Sequence, residues 1–293
     1  MLKNPVALLL FFWLVLSRTP ASAAAPIIVI DDTGFTVELT APAKRVIPLY
    51  GAFSELLLAL DAGGLLVARP AADAHLAELA ALPAVGTHMR PNAELIVARK
   101  PDLVLQFAGR QEAQTQTEAL RGLGLNVLTF SMDSFEEMFA VLEKLGRLTG
   151  REARAGQLLR EWRARLAALQ DRYRGQKPVR VFYEARYPNL LAAGAGGMVN
   201  EVIVAAGGEN VVRENKKLAR VNEETVILTD PDVYVIQKGP MNPNPSPPAT
   251  RPHYKDLRAV RAGRVAVVAE ERFARPGPRA LDAVEELGHI LHP

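Results

Sequence analysis

The sequence predicts an α/β fold of two Rossmann-like α/β lobes joined by one long rigid helix. Three observations predict it. Short apolar segments alternate with amphipathic ones on both sides of the middle of the chain, and a long amphipathic segment lies near that middle. One 14-residue pattern also occurs twice, 130 positions apart. Strand–helix alternation is typical of parallel sheets that are covered by helices.

The composition is that of a globular protein, because 49% of the 293 residues are hydrophobic and 23% are charged. Lys and Arg number 35 and Asp and Glu 32, so the net charge is +3, and no block of like charge stands out. Nucleic-acid binding is therefore not expected. Cysteine is absent, which excludes thiolate zinc sites, iron–sulfur clusters, cysteine nucleophiles and a lipid-anchored N-terminal cysteine.

The N-terminus predicts a signal peptide over residues 1–23. Lys3 supplies a positive charge, residues 6–16 form an uninterrupted apolar run, and the Ala-Ser-Ala at 21–23 suits cleavage. The apolar run is too short to cross a bilayer, which needs about 20 residues. We expect the segment to be removed and the mature protein to be exported and soluble. The alternative is an uncleaved anchor.

Residues 24–148 form the predicted N-terminal lobe. A β-hairpin is expected at 27–30 and 35–39, because the turn residues Asp-Asp-Thr-Gly separate two apolar segments. A strand at 46–49 precedes a helix at 54–60, which a Gly-Gly pair ends. The alternation then continues through strand 103–106, helix 111–123, strand 126–130 and helix 135–148.

Residues 149–176 form the predicted connecting helix, and 177–293 the predicted C-terminal lobe. Between 151 and 173, apolar residues recur at helical spacing with Arg and Glu between them, which predicts a long amphipathic helix. This helix is also a candidate for continuing the helix predicted at 135–148. Six prolines between 240 and 252 predict a loop. That loop is either a mobile rim of a cleft or a tolerated surface insertion. The remaining elements are expected at 179–183, 199–206, 233–237, 265–268 and 279–291.

The repeat predicts that the two lobes match. In 92–105 and 222–235, an Asn, a Glu two residues later, an apolar pair and a Pro-Asp dipeptide keep the same spacing. Each Asn can cap a short helix, and each Pro-Asp turns the chain into a strand. Two α/β lobes of this kind leave a ligand cleft between the carboxyl ends of their strands.

Short segments from both halves resemble one family in their order and spacing. They are residues 44–47, 55–56, 85–86, 94, 100–104, 181–184, 193–194, 206–211 and 275–279. Together they resemble the periplasmic binding proteins for vitamin B12, haem and ferric siderophores, over nearly all of the mature chain. The resemblance implies the solute-binding component of an ABC importer. Such a protein captures an iron or cobalt chelate in the periplasm, holds no permanent cofactor, and presents the chelate to a permease dimer in the inner membrane. A monomer is expected.

Glu94 and Glu224 are the predicted docking residues, one on each lobe. The resemblance implies that each docks into an Arg pocket on one permease subunit, and two like carboxylates suit a two-fold partner. The alternative is structural, because a Glu near a helix N-terminus stabilises that helix by about 0.3–1 kcal/mol through the macrodipole.

The resemblance also implies a cleft lined by the loops that follow the strands. Aromatic side chains in such loops pack on a large ligand, and Arg side chains pair with its carboxylates, phosphate or amides. The predicted ligand-binding residues are Tyr50, Phe53, His88, Arg90, Arg186, Tyr187, Phe273 and Arg275.

His88 is the candidate metal ligand. Members of this family place an aromatic residue or a metal-binding Tyr in the corresponding loop, and this chain has His instead. An imidazole can serve as an axial ligand to haem iron or corrinoid cobalt. The alternative is a histidine that is hydrogen-bonded within its loop.

Two other functional classes stay open at this stage. A binding protein for bare metal ions needs several His and acidic residues in one cleft, whereas His75, His88, His253, His289 and His292 are scattered along the chain. An enzyme on the same fold lacks sequence support, because Gly-x-Ser-x-Gly, His-Glu-x-x-His and P-loop motifs are absent. We expect no enzymatic activity.

Overall fold

The computed structural model of the protein describes residues 25–109 and 111–293. The predicted signal peptide, residues 1–23, lies outside these ranges. No helix in them is both long enough and apolar enough to cross a membrane.

The N-terminal lobe is built on a three-stranded parallel sheet with β6 between β3 and β7. The predicted hairpin forms beside it as the antiparallel pair β1–β2. The helix predicted to begin at residue 54 begins at Gly51, where the Phe53 amide already donates to the Tyr50 carbonyl. The elements are β1 (Ile27–Ile30), β2 (Thr36–Leu39), β3 (Val46–Pro48), α1 (Gly51–Ala59), β4 (Gly86–Thr87), β5 (Arg90–Pro91), α2 (Ala93–Ala98), β6 (Leu103–Phe107), α3 (Gln111–Gly122), β7 (Val127–Phe130) and α4 (Phe135–Thr149).

The long helix α5 (Glu152–Asp171) follows α4 without continuing it. Gly150 adopts a φ of 67°, which an L side chain rarely takes, and this left-handed residue ends α4. The chain reverses there, so that α5 packs along α4 and also contacts α6 and α10 of the second lobe. With 20 residues, α5 is about 30 Å long.

The C-terminal lobe contains a mixed sheet in which β8 pairs in parallel with β12 and β10, β12 pairs in parallel with β13, and β9 and β11 extend the sheet in antiparallel. The elements are β8 (Val179–Arg186), β9 (Leu191–Ala193), α6 (Met198–Ala205), β10 (Gly208–Asn210), β11 (Leu218–Arg220), α7 (Glu223–Thr229), β12 (Val233–Lys238), α8 (Arg258–Arg261), β13 (Val265–Ala269), α9 (Glu270–Phe273) and α10 (Ala280–Leu291).

The main hydrophobic core is shared by the two lobes. One cluster of buried side chains runs from the hairpin and α4 through Leu158, Leu166 and Leu169 of α5 to α6 and α10. Separating the lobes would expose part of this cluster to water, which costs about 25 cal/mol for each Å² of apolar surface. The two lobes therefore hold each other in a fixed arrangement.

The sequence repeat corresponds to a structural repeat at α2 and α7. Asn92 caps α2 by accepting a hydrogen bond from the Leu95 amide at 3.0 Å, and Asn222 caps α7 by accepting one from the Thr225 amide at 2.8 Å. Each helix then leads through Pro-Asp into an interior strand of its sheet, β6 or β12.

The repeat extends to an arginine that closes the other end of each helix. The Arg45 side chain donates to the Lys100 carbonyl at the end of α2 at 3.0 Å, and Arg180 donates to the Asp230 carbonyl at the end of α7 at 3.0 Å. Asp102 accepts the Arg45 amide, and Asp232 accepts the Arg180 amide. Both short helices are therefore held at both ends in the same way.

Candidate ligand-binding site between the lobes

A cavity of about 590 Å³ lies between the lobes and takes its walls from both. The N-terminal lobe contributes residues that follow β3, β6 and β7 and the turn between β4 and β5. The C-terminal lobe contributes residues of β8, the start of α6, the end of β12 and α9. The cleft that the sequence predicts is therefore present, at the ends of the parallel strands.

Three rings form the N-terminal wall. The Tyr50 ring lies 4.6 Å from the Phe107 ring and 5.2 Å, edge-on, from the His88 ring, measured between ring centroids. The Gln106 side chain donates to the His88 carbonyl at 3.0 Å and so fixes the loop that carries this histidine. Burial raises the pKa of Tyr50 to about 12, so its hydroxyl is protonated at neutral pH.

Two hydrogen-bonded groups shape the C-terminal wall. The buried Tyr183 hydroxyl donates to Gln237 Oε1 at 3.1 Å. Burial also raises the pKa of Tyr183 well above 10 and keeps its hydroxyl protonated. Beside them, the Glu270 carboxylate accepts a hydrogen bond from the Met241 amide at 2.8 Å. These groups place polar atoms on the C-terminal wall.

One ion pair crosses the cavity from lobe to lobe. Lys217 Nζ, from the C-terminal lobe, lies 2.7 Å from Asp133 Oδ1 of the N-terminal lobe and 4.6 Å from the centroid of the Phe107 ring. The side chains of Lys217 and Asp133 are 42% and 29% exposed. An exposed pair of this kind contributes about 0–1 kcal/mol to stability, so it can open without a large cost.

The predicted ligand-binding residues divide into those on the cavity wall and those elsewhere. Tyr50 and His88 line the cavity. Phe53 and Phe273 are fully buried in the shared core instead, where Phe53 faces Phe130 and Phe273 stacks against Tyr183. A ligand in the cavity does not reach these two rings.

Arg275 is held within the protein rather than on the cavity wall. Its guanidinium lies 2.9 Å from Glu55 Oε1 and 3.5 Å from Asp73 Oδ1, both in the N-terminal lobe. Arg279 also pairs with Glu55, at 2.5 Å. Glu55 and Asp73 already neutralise the positive charge of Arg275, which the sequence assigns to ligand binding. The ion pairs of Arg275 and Arg279 therefore join the two lobes instead.

The other predicted residues lie off the wall as well. Arg90 is exposed at the start of β5, and the Arg186 side chain faces the carbonyl of Asn189 in the turn after β8. The Tyr187 hydroxyl donates to Glu223 at 3.2 Å, and its ring lies 3.8 Å beneath the Arg251 guanidinium.

Arg251 anchors the proline-rich segment to the C-terminal lobe. It forms a buried ion pair with Glu184, whose carboxylate also accepts a hydrogen bond from Tyr234 at 2.6 Å. The start of the segment reaches the cavity through Met241. The segment therefore contributes to the cavity wall at its start and is fixed to the C-terminal lobe at Arg251.

Glu94 and Glu224 lie in the first turns of α2 and α7, and both are exposed. The same two helices expose apolar side chains, with Val97 43% and Ile227 40% accessible. Each of these side chains lies three residues after the glutamate, so the two lobes present similar small surfaces.

The histidines described by the structure lie in different environments. His75 lies 3.7 Å from Glu271, and the His292 ring stacks on Tyr173 at 4.3 Å between centroids. Over residues 25–109 and 111–293, no three His, Cys, Asp or Glu side chains are grouped closely enough to hold a metal ion.

Sequence reasoning missed most of the cavity wall. The wall includes four methionines and also Phe107, Asp133, Tyr183, Lys217, Gln237 and Glu270. The positions of several of these residues could have been predicted from the sequence, because a residue near the carboxyl end of a strand is close to the cleft. Asp133 follows β7 closely, and Gln237 lies near the end of β12. Others, such as Lys217, are placed by contacts between distant segments.

Comparisons with known proteins agree with this architecture. A family model described as Periplasmic binding protein matches residues 46–271. The uncharacterized ABC transporter substrate-binding lipoprotein YvrC of Bacillus subtilis is 25% identical over 274 residues, which cover 92% of this chain and 86% of the relative. This chain has no cysteine.

Two solved structures share the fold at similar identity. The periplasmic vitamin B12 binding protein BtuF of Vibrio cholerae is 25% identical with a TM-score of 0.74, covering 85% of this chain and 97% of its own. A periplasmic heme binding protein from Pseudomonas aeruginosa is 26% identical with a TM-score of 0.73, covering 86% of this chain and 93% of its own.

These relatives bind solutes and are not enzymes. The chain is accordingly an extracytoplasmic solute-binding component of an ABC importer, with a small-molecule ligand and a permease as its partners. The match over residues 46–271 covers most of the chain. The chain belongs to the periplasmic binding protein family.

Proposed function

We propose that the protein captures a metal chelate in the periplasm and delivers it to its permease. The observation that carries the proposal is the cavity of about 590 Å³ with walls from both lobes, which suits a ligand much larger than a bare ion. The relatives named for vitamin B12 and heme support a corrinoid, haem or ferric siderophore as the ligand.

We propose that Tyr50 and His88 contact the chelate and that His88 is an axial ligand to its metal. Both line the cavity, and their rings lie 5.2 Å apart. The neutral Tyr50 hydroxyl is then available as a hydrogen-bond donor beside the metal. The metal arrives with the chelate, as cargo.

We propose that the exposed Glu94 and Glu224 dock to the permease. Their positions on the matched helices α2 and α7 support a partner with two equivalent subunits.

We further propose that residues 1–23 are a cleaved signal peptide, that residues 24–148 and 177–293 are the two lobes, that 149–176 connect them, and that the mature protein is a monomer.

Ligand titration of the purified mature protein tests this function. Tryptophan fluorescence and visible absorbance are followed while cyanocobalamin, haemin and ferric siderophores are added. We expect saturable binding of at least one chelate at micromolar concentration or below. Failure of every chelate to bind would contradict the proposed function.

The metal ligand is tested by the spectrum of the bound chelate. In His88→Ala we expect the axial-ligand absorbance shift to disappear, with a control variant, His75→Ala, that retains it because His75 lies outside the cavity. An unchanged spectrum in His88→Ala would remove His88 from the metal without affecting the transport assignment.

A further inference from the structure

Ion pairs join the lobes at two places beside the cavity, and the two places differ in burial. At the first place, Arg275 pairs with Glu55 and Asp73, whose carboxylates are buried. The residues on either side of Arg275, Ala274 and Pro276, line the cavity. Breaking a buried ion pair leaves charges without partners where water solvates them poorly, so this place is a fixed joint.

The second place is the pair of Lys217 and Asp133, which is open to solvent. Both side chains line the cavity, and they are 42% and 29% exposed, so the pair lies at the rim where the cavity meets water. Lys217 Nζ also lies 4.6 Å from the ring centroid of Phe107, another lining residue. The lysine side chain therefore crosses the rim from the C-terminal lobe to the N-terminal lobe.

Both ends of this connection are fixed, and the lysine side chain between them is its flexible part. The Lys217 carbonyl accepts a hydrogen bond from the Gly194 amide at 3.2 Å, which holds the backbone just before β11. On the other lobe, Asp133 Oδ2 accepts one from the Ser131 hydroxyl at 3.0 Å, and Oδ1 pairs with the lysine. A Cβ added at Gly197 would lie 3.4 Å from Lys217 Cβ and Cγ, so the lysine chain runs close over the start of α6.

We propose that Lys217 is a strap that closes the rim of the cavity by pairing with Asp133, and that ligands enter and leave when this pair opens. An exposed ion pair is weak enough to open spontaneously, while the buried joint at Arg275 stays closed. The lobes need not move apart, because the swing of one side chain unblocks this part of the rim. The strap goes beyond the proposed function and acts on any ligand of the cavity.

A thiol placed in the cavity tests the strap without a ligand. The chain contains no cysteine, so Val199→Cys, a change of similar volume at a lining residue, introduces a unique thiol. In the purified mature protein, its rate of reaction with the bulky, neutral N-phenylmaleimide is divided by its rate with the small methyl methanethiosulfonate. Both reagents need the thiolate, so the ratio reports on the steric barrier rather than on the thiol pKa.

In this background, we expect Lys217→Met to raise the ratio about threefold to fivefold, as an exposed ion pair allows. Methionine keeps the length of the side chain and removes its charge. Asp133→Asn should raise the ratio by a similar factor, and the double variant no further, because the two residues act as one pair. Lys216→Met is the matched control, since Lys216 pairs with Glu214 in the same loop and the same lobe.

Salt gives an independent readout. Raising NaCl from about 20 mM to about 500 mM screens exposed charges, so the ratio should rise while Lys217 is present and stay constant in Lys217→Met. Equal ratios in Lys217→Met and Lys216→Met, or the same response to salt in both, would overturn the strap.

Binding kinetics distinguish a strap from a ligand contact. With haemin and cyanocobalamin as probes in stopped-flow absorbance, Lys217→Met should speed association and dissociation by the same factor and leave the Kd unchanged. A weaker Kd with unchanged association would make Lys217 a ligand contact and overturn the strap. The thiol ratios decide the strap whether or not a chelate binds, so its failure and the failure of the proposed function are distinguishable.

Discussion

At the scale of single residues, two aromatic residues with similar positions in the sequence lie in different environments in the structure. Tyr50 and Phe53 are three positions apart at the start of α1, and both follow a strand. Tyr50 faces the cavity, whereas Phe53 turns into the core. A post-strand position predicts nearness to the cleft but not which way a ring points. That direction is set by how α1 packs, which depends on distant residues such as Phe130.

Arg275 illustrates the same limit for charged residues. Its place in a late loop predicts a ligand contact, but the structure supplies partners in Glu55 and Asp73, some 200 positions earlier in the chain. A buried carboxylate such as Glu55 leaves no pattern in its own neighbourhood. The sequence therefore indicates which loops surround the cleft and cannot indicate which arginines are already paired.

Asp31 carries a prediction at this scale. Desolvation raises its pKa, but hydrogen bonds from the Thr33 hydroxyl and from the amides of Thr129, Phe35 and Thr33 outweigh it, so the pKa lies below the usual 3.8. Its carboxylate also pairs with Arg121 at 2.5 Å. Because the folded protein holds the charged form, this contribution to stability is present above pH 3.8 and is lost as the pH falls through the lowered pKa.

We expect Asp31→Asn to lower the free energy of unfolding by about 3 kcal/mol at pH 7, because it leaves a mostly buried Arg121 without its partner. Below pH 3.8 the difference between the variant and the wild type should shrink. Urea unfolding at a series of pH values measures both effects. A constant difference across that range would show that the charge of Asp31 is not what stabilises the hairpin.

At the scale of elements, the sequence repeat predicted the equivalence of α2 and α7, and the structure confirms the capping of both by Asn92 and Asn222. The sequence repeat does not predict the matched arginines, because their separation along the chain differs from that of the asparagines. Arg45 and Arg180 are 180 − 45 = 135 positions apart, whereas the asparagines are 222 − 92 = 130 apart. A comparison at one fixed offset cannot detect a pair displaced by an insertion, although the contacts are the same.

The two helices also carry the docking prediction. We expect the double variant Glu94→Lys with Glu224→Lys to abolish uptake of the bound chelate in cells while its affinity for the chelate stays unchanged, because both residues lie outside the cavity. Uptake and titration measure the two properties. The matched control is Glu38→Lys with Glu143→Lys, an equal charge change at exposed sites elsewhere. Full uptake by the first variant would contradict docking through α2 and α7.

At the scale of the whole molecule, the two lobes behave as one body. They share one hydrophobic cluster, and the buried Glu55 joins them through Arg275 and Arg279. The strand–helix alternation predicted the lobes and the long helix. It could not predict that α4 and α5 fold back on each other at Gly150, because the glycine alone does not specify the direction of the next helix.

This shared core predicts a single cooperative unfolding transition. Differential scanning calorimetry should give one peak whose calorimetric and van't Hoff enthalpies agree. Glu55→Gln, which removes the carboxylate that two partly buried arginines share, should move that one peak down by several degrees without splitting it. Two separate peaks in the wild type would mean that the lobes are independent.

The fixed arrangement of the lobes has a kinetic consequence. The shared core sets the distance between α2 and α7, so the protein offers a docking partner the same pair of surfaces whether or not the cavity is filled. Under the docking proposed for Glu94 and Glu224, empty and loaded copies compete for the same permease. The rate of uptake will depend on the fraction of the pool that carries ligand, and excess empty protein will slow import rather than speed it.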